Sequence, residues 1–291
     1  MSEAGAGDKP FGTVAIIGVG LIGGSIGMGL RRSGLAQTVI GVEPEWPRVM
    51  AAHAAGAIDY PGTVWDKNTV DADLVIISTP VGHILEMIEA VLAWVKPGTV
   101  VTDVGSTKSA IVQKAGDNAF FVGGHPMTGS ERTGVEAARA DLFDGATWAL
   151  TPTAHTDAGA LAMAERLAQT LGAKTLKLTA QSHDAMAAVT SHLPHALASS
   201  LMRQAAGMRE TYPDMNRLSA GSFADGTRVA ASSPEIWRDV CLSNKDALLA
   251  ALHQFRGQLD VLEEALAAED GEVLASFFAQ GRDAKAEWNK R

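Results

Sequence analysis

His125 closes the apolar run FFVGG, with Pro126 fixing the backbone behind it and Glu131 six residues on. An imidazole titrates at about 6.5 when unperturbed, so it is the side chain best suited to take a proton from a bound hydroxyl near neutral pH. A second group of residues suits a different chemistry. Gly18, Gly20 and Gly23 stand in GxGxxG spacing, with Leu21 and Ile22 between the last two, directly after the apolar run TVAII. In that arrangement Gly18 permits the sharp turn, Gly20 leaves room for a pyrophosphate, and Gly23 lets a helix pack close to its strand. Free N–H groups at the helix start then face the phosphates. Glu43 lies twenty residues after Gly23, at the end of TVIGVE. There it can accept hydrogen bonds from both adenosine ribose hydroxyls and repel the 2′-phosphate of NADP, so NAD is the expected cofactor. Arg48, close by, is the residue that would soften that preference.

These residues require a scaffold that brings them together. Residues 13–17, the run ending at Glu43, residues 72–80 and residues 98–106 read as buried strands, with helices running to about Arg32 and over 82–95. Such alternation predicts an α/β fold with a Rossmann-type, doubly wound parallel sheet, whose ligands sit beyond the carboxyl ends of the strands. Four strand ends then meet in one crevice: the glycine turn, Thr79 with Pro80, Ser106, and His125. Residues 145–152 and 173–179 read as further strands around a helix of about 157–171. From Ala180 the pattern is helical almost to the end, giving two expected domains, residues 1–179 for the dinucleotide and an all-helical domain over 180–291. Leu248, Leu252, Phe255, Leu259, Leu262 and Leu266 form a heptad-like stripe that suits either a core-facing helix or a dimer interface.

Charge and composition narrow the partners. A formal charge of −9 opposes binding to nucleic acid or an anionic membrane and favours a small-molecule ligand. The uncharged stretch 14–30 is slightly short for a membrane span, and six of its seventeen residues are glycine. The sequence has one cysteine, Cys241, and its first residues lack the pattern of a secretory signal. A cytoplasmic protein is expected. His192 and His195, three apart on a predicted helix, invite a metal reading with His125 as third ligand. Pro194 lies between them and no cysteine or acidic cluster completes a shell, so no metal is expected.

The segments VAIIGVGLIGGSIGMGL, ADLVIISTPV, DVGSTKSAIV, GGHPMTGSERTGVEAA, SHLPHALASSL, AGSFADGTRVA and PEIWRDV occur in this order. Together they resemble the prephenate/arogenate dehydrogenase family of tyrosine biosynthesis, over nearly the whole chain. The resemblance implies oxidative decarboxylation: hydride leaves C4 of a cyclohexadienol for NAD⁺, CO₂ leaves C1, and the ring becomes aromatic. It makes His125 the catalytic base, with Ser106 sharing the hydrogen bond unless that serine merely caps the following helix. It makes Arg228 the anchor for a substrate carboxylate, which a guanidinium grips with two parallel hydrogen bonds. His195, Ser130, Glu131 and Trp237 are expected to line the substrate site, Trp237 having a core position as its alternative and His192 a structural role. A homodimer paired through the C-terminal helices is implied.

The chain departs from the family pattern at Ala224, where many relatives carry a basic residue before the aspartate. Asp225 could then pair with the ammonium of arogenate, so both prephenate and arogenate stand as substrates, with prephenate favoured by NAD. An acid limb near the ordinary histidine pKa is expected in the rate profile. Two other readings share some of these features. A β-hydroxyacid-type dehydrogenase would place a catalytic lysine on the first helix of the second domain, and residues 180–210 contain none. A non-enzymatic dinucleotide sensor would need neither base nor carboxylate anchor.

Overall fold

The computed structural model describes residues 11–64, 71–129 and 132–290. The chain divides into two compact units, Met1–Asn244 and Lys245–Arg291.

The first unit is built on one eight-stranded sheet. β1 (Thr13–Ile17) leads through α1 (Leu21–Ser33) to β2 (Thr38–Val42), then α2 (Trp46–Ala54) and the short β3 (Tyr60–Gly62). β4 (Leu74–Ile77), α3 (Val81–Trp94), β5 (Val100–Asp103), α4 (Ser109–Ala115) and β6 (Phe121–Pro126) follow. β7 (Thr147–Thr151), α5 (Ala158–Thr170) and β8 (Lys174–Lys177) complete the sheet, in the order β3-β2-β1-β4-β5-β6-β7-β8. The strands from β3 across to β6 are parallel; β7 runs antiparallel to β6, and β8 pairs parallel with β7. The doubly wound parallel sheet expected from the sequence is present from β3 to β6, and β7, reversed, extends it together with β8. Among the described residues between β6 and β7 there is no crossover α-helix, and so the chain can return beside β6 in the opposite direction.

Apolar residues on both faces of each central strand explain why helices cover both sides. Val14 and Ile16 of β1, with Leu74 and Ile76 of β4, join one core with Ile26 and Leu30 of α1 and Leu167 of α5. Their alternates Ala15, Ile17, Val75 and Ile77 join a second core with Ile84 and Ile88 of α3 and Ile111 of α4. This period of two is what a parallel strand buried on both faces demands. The strand order reverses between β1 and β4, so the crevice beyond their carboxyl ends is the topological switch point.

After β8 the first unit is helical: α6 (Ala180–Ala187), a π-helical turn over Ala188–His192, α7 (Leu193–Met208), α8 (Gly221–Thr227) and α9 (Pro234–Ser243). The second unit is a pair of helices, α10 (Lys245–Ala267) and α11 (Gly271–Trp288). Asp270 starts α11 by accepting from the N–H groups of Glu272 and Val273. All six stripe residues fall on α10; Leu248 is buried, whereas Leu259 and Leu266 are exposed.

Candidate functional site

At the β1–α1 turn the glycines divide their duties as the spacing predicts. Gly18 has φ +89°, and a Cβ there would meet the Ser78 carbonyl oxygen at 2.6 Å, which fixes the end of β1 against the end of β4. A Cβ on Gly23 would collide with the Gly18 carbonyl. A Cβ on Gly20 would touch no protein atom within 4 Å, and no side chain caps α1 there. The helix therefore starts with unclaimed N–H groups beside open space, which fits a dinucleotide pyrophosphate. Leu21 and Ile22 open α1, partly buried; Thr79 and Pro80 follow β4 on the other side of the switch point. Glu43 follows β2 directly, and Arg48 approaches it at 3.9 Å while pairing more closely with Glu45 at 3.2 Å. Replacing Gly20 with alanine should leave the fold intact, since the added Cβ meets no protein atom within 4 Å. It should raise the Kd for NAD at least ~10-fold, because a hydrogen bond to a charged phosphate contributes about 1.5–3 kcal/mol. Isothermal titration alongside a thermal melt checks both halves.

At the end of β6, His125 lies opposite Ala149 of β7, and part of its surface stays open on a cavity of about 440 Å³. Its Nδ1 is 2.8 Å from Nε2 of His183, whose Nδ1 is 2.8 Å from Oδ1 of Asp184. His183 and Asp184 are both buried. Burial opposes the charge on Asp184, but hydrogen bonds from His183 and from Ser109 and Lys108 outweigh it and hold the carboxyl below its usual range. Burial, followed by the charges that His183, Lys108 and His192 can carry, pushes His125 well below the ordinary histidine value against the opposing pull of Asp184. The neutral ring is the resting form.

The backbone just before His125 is held from below. Lys108, fully buried, donates from Nζ to Asp103 and to the Gly124 carbonyl, the latter at 2.7 Å. Asp103, at the end of β5, also accepts from the N–H groups of Gly105 at 2.7 Å and Gly124 at 3.2 Å. Every oxygen of this buried carboxylate is used, as a charge away from water requires. The start of α4 is capped by Asp184, which accepts from the N–H groups of Lys108 at 2.7 Å and Ser109 at 2.8 Å. No bond from Ser106 caps that helix; Ser106 lies on the cavity with His125.

The helical segments supply the facing wall. His195 stacks on Trp237 with ring centroids 3.6 Å apart, and its Nδ1 donates to the Ser191 carbonyl at 3.0 Å. That leaves its Nε2 as an acceptor. Burial, then the nearby Arg228 charge, lowers the pKa of His195 despite the opposing bond to Ser191. His195, Trp237 and Arg228 all line the cavity. His192 does not line it. Burial pushes His192 down to about 4, and its Nδ1 accepts from Asn244 Nδ2 at 3.1 Å while its ring meets Trp237 edge-on at 5.9 Å. Asn244 also donates to the Asp184 carbonyl, joining α9 to α6.

Of the residues singled out in the sequence, Ser106, His125, His195, Arg228 and Trp237 come together around one cavity, and the glycine turn with Thr79 and Pro80 borders the switch point. Ser130 and Glu131 lie outside the described residues. Asp225 is exposed on α8 and is not among the lining residues, so the pairing with an ammonium suggested for it has no support within this chain. Among the described residues no cluster of histidine, cysteine, aspartate or glutamate is arranged to hold a metal. Sequence reasoning missed Asp103, Lys108, His183 and Asp184. The available signal was a lysine as the one charge in the run GSTKSAIV and the pair His183-Asp184 at the first all-helical segment.

Comparisons with known proteins show which proteins the chain is similar to. The model described as "Prephenate dehydrogenase, nucleotide-binding domain" matches residues 26–177, and "Prephenate dehydrogenase, dimerization domain" matches residues 179–280. A prephenate dehydrogenase of Bacillus subtilis (strain 168) is 36% identical over 277 residues, covering 93% of this chain and 74% of that protein. A cyclohexadienyl dehydrogenase of Zymomonas mobilis is 35% identical over 283 residues, covering 94% of this chain and 95% of that protein. The crystal structure of prephenate dehydrogenase from A. aeolicus in complex with hydroxyphenyl propionate and NAD⁺ matches with a TM-score of 0.88 and 32% identity, over 94% of this chain and 97% of that one.

Proposed function

The chain belongs to the prephenate dehydrogenase family, and on that premise we propose that it is an NAD-dependent oxidoreductase converting prephenate to 4-hydroxyphenylpyruvate, with His125 as base and Arg228 as carboxylate anchor. The observation that carries the site assignment is the neutral His125 ring, open on a cavity that Arg228, Ser106 and His195 share with it.

Bound NAD⁺ supplies a hydride acceptor. The protein has to hold a dianion and manage one proton. His125 receives the proton of the C4 hydroxyl as the C4–H bond gives up its electron pair, and Ser106 shares the hydrogen bond to that oxygen. Loss of CO₂ from C1 sends the bond's electrons through the ring, and the oxygen takes the proton back from His125 as the phenol forms. No net proton is consumed, so the base works as a temporary holder. Among the described lining residues the ionisable groups are His125, His195 and Arg228, with no carboxylate, a balance that suits a substrate carrying two negative charges.

Residues 1–179 form the dinucleotide-binding part in this reading and 180–291 the helical part, through which two copies pair as a homodimer. The apolar side chains left exposed on α10 and α11, Leu259, Leu266 and Phe278, support that pairing. No helix among the described residues is long and apolar enough to cross a membrane, and the working compartment in this reading is the cytoplasm.

NADH absorbance after adding prephenate or arogenate, each with NAD⁺ and NADP⁺, tests the function directly; prephenate with NAD⁺ should give the largest rate. Arg228→Ala should raise KM for prephenate ~10- to 100-fold, the loss of a charge-assisted bidentate contact of about 1.5–3 kcal/mol, with the NAD Kd unchanged. An unchanged KM would remove Arg228 from the site.

A further inference from the structure

We propose that His183 and Asp184 are positioning residues for His125: a one-way hydrogen-bond chain from the Asp184 carboxylate through His183 sets which nitrogen of His125 carries hydrogen. The inference rests on the function proposed above and goes beyond it by naming what makes His125 a base on its cavity side.

The argument begins at the end of the chain whose polarity is fixed. An ionised carboxylate only accepts hydrogen bonds, and Asp184 is held in place by the N–H groups of Lys108 and Ser109 as well as by His183. His183 must therefore carry its hydrogen on Nδ1. In the neutral form of His183 the hydrogen on Nδ1 is the ring's only one, so Nε2 is an acceptor. The atom facing it at 2.8 Å is Nδ1 of His125, which must then be the donor. The remaining nitrogen of His125, Nε2, is left with a free lone pair. Without His183 the two tautomers of His125 would be set by chance contacts, and the one with hydrogen on Nε2 cannot accept a substrate proton.

The same chain accommodates the proton once it has been taken. When Nε2 of His125 is protonated, Nδ1–H still points at His183 and His183 still points at the Asp184 anion, so no ring has to turn. Among the described residues the other charged or titratable groups around His125 are Lys108 with its partner Asp103, His192 and, across the cavity, His195 and Arg228. The Asp103 carboxylate is taken up by Lys108 and the N–H groups of Gly105 and Gly124, and Asp184 is the counter-charge that reaches this ring through His183.

The experiment compares His183→Leu with His183→Gln, combining steady-state kinetics with nitrogen NMR of the imidazole-labelled, ligand-free enzyme. Leucine removes the acceptor, and kcat should fall on the order of 10²-fold or more while KM for prephenate and the NAD Kd hold. Glutamine places an amide oxygen where Nε2 stood, and it should recover most of the loss. In the wild type the His125 Nε2 signal should be that of an unprotonated nitrogen, and it should shift towards the protonated form in His183→Leu. A leucine variant with wild-type kcat, or a wild-type spectrum with hydrogen on His125 Nε2, overturns the proposal. So does an equal loss in both variants with the His125 tautomer unchanged, which would mark a purely structural role. Should the leucine variant not fold, the glutamine variant and the wild-type spectrum still decide. Failure of the proposed function is distinguishable, because it appears as absent turnover in the wild type while the tautomer is read without substrate.

Discussion

With His125 replaced by asparagine, kcat should fall about 10²–10⁴-fold, the usual contribution of a positioned acid–base group, and the NAD Kd should be unchanged. Asparagine can still accept a hydrogen bond but cannot hold a proton, so the acid limb of the rate profile should vanish together with the rate. The position of that limb in the wild type follows from the surroundings of the ring. Burial first, then His183, then Lys108 and His192, depress the His125 pKa, so the neutral, competent form persists as the pH drops through the ordinary histidine range. Activity should be lost only below that range, lower than the residue type alone leads one to expect. A plot of kcat/KM against pH checks this, and a limb at or above the ordinary value, or an asparagine variant of normal rate, contradicts the assignment.

Replacing Lys108 with alanine should destabilise the protein by about 3–5 kcal/mol, the usual cost of leaving one member of a buried ion pair alone. Asp103 would keep the N–H groups of Gly105 and Gly124 but lose its counter-charge, and the Gly124 carbonyl would lose its donor. Because Gly124 precedes His125, the base should be displaced as well, and the surviving folded enzyme should be slow. Urea unfolding measures the first effect and kcat the second. A loss below about 1 kcal/mol would mean that water replaces the ammonium without penalty, contrary to the buried setting.

Much of the sheet was legible because its strands are apolar runs bounded by glycine, proline and small polar residues. β1, β2 and β4 to β6 announce themselves in this way. β3 did not, since its three residues Tyr60, Pro61 and Gly62 carry neither alternation nor an apolar run. The direction of β7 was hidden for another reason: alternation tells which face a residue occupies but not which way its strand runs. The histidine at the end of β6 was visible because strand ends gather ligands in a doubly wound sheet. Its supporting residues were not, because Asp184 is bonded to Lys108 and Ser109 across 76 and 75 residues. No local pattern in a sequence records a partner that distant. The π-helical turn before α7 was also unread, since its composition does not differ from that of an ordinary helix.

The separation of 58 positions between His125 and His183 has a consequence for how the molecule comes into being. During synthesis the glycine turn and the whole parallel part of the sheet leave the ribosome before α6 exists. A nascent chain at that stage already carries the glycine turn, yet its imidazole lacks the His183 partner. Chemical competence arrives only when the later segment docks, so an unfinished enzyme is silent by construction.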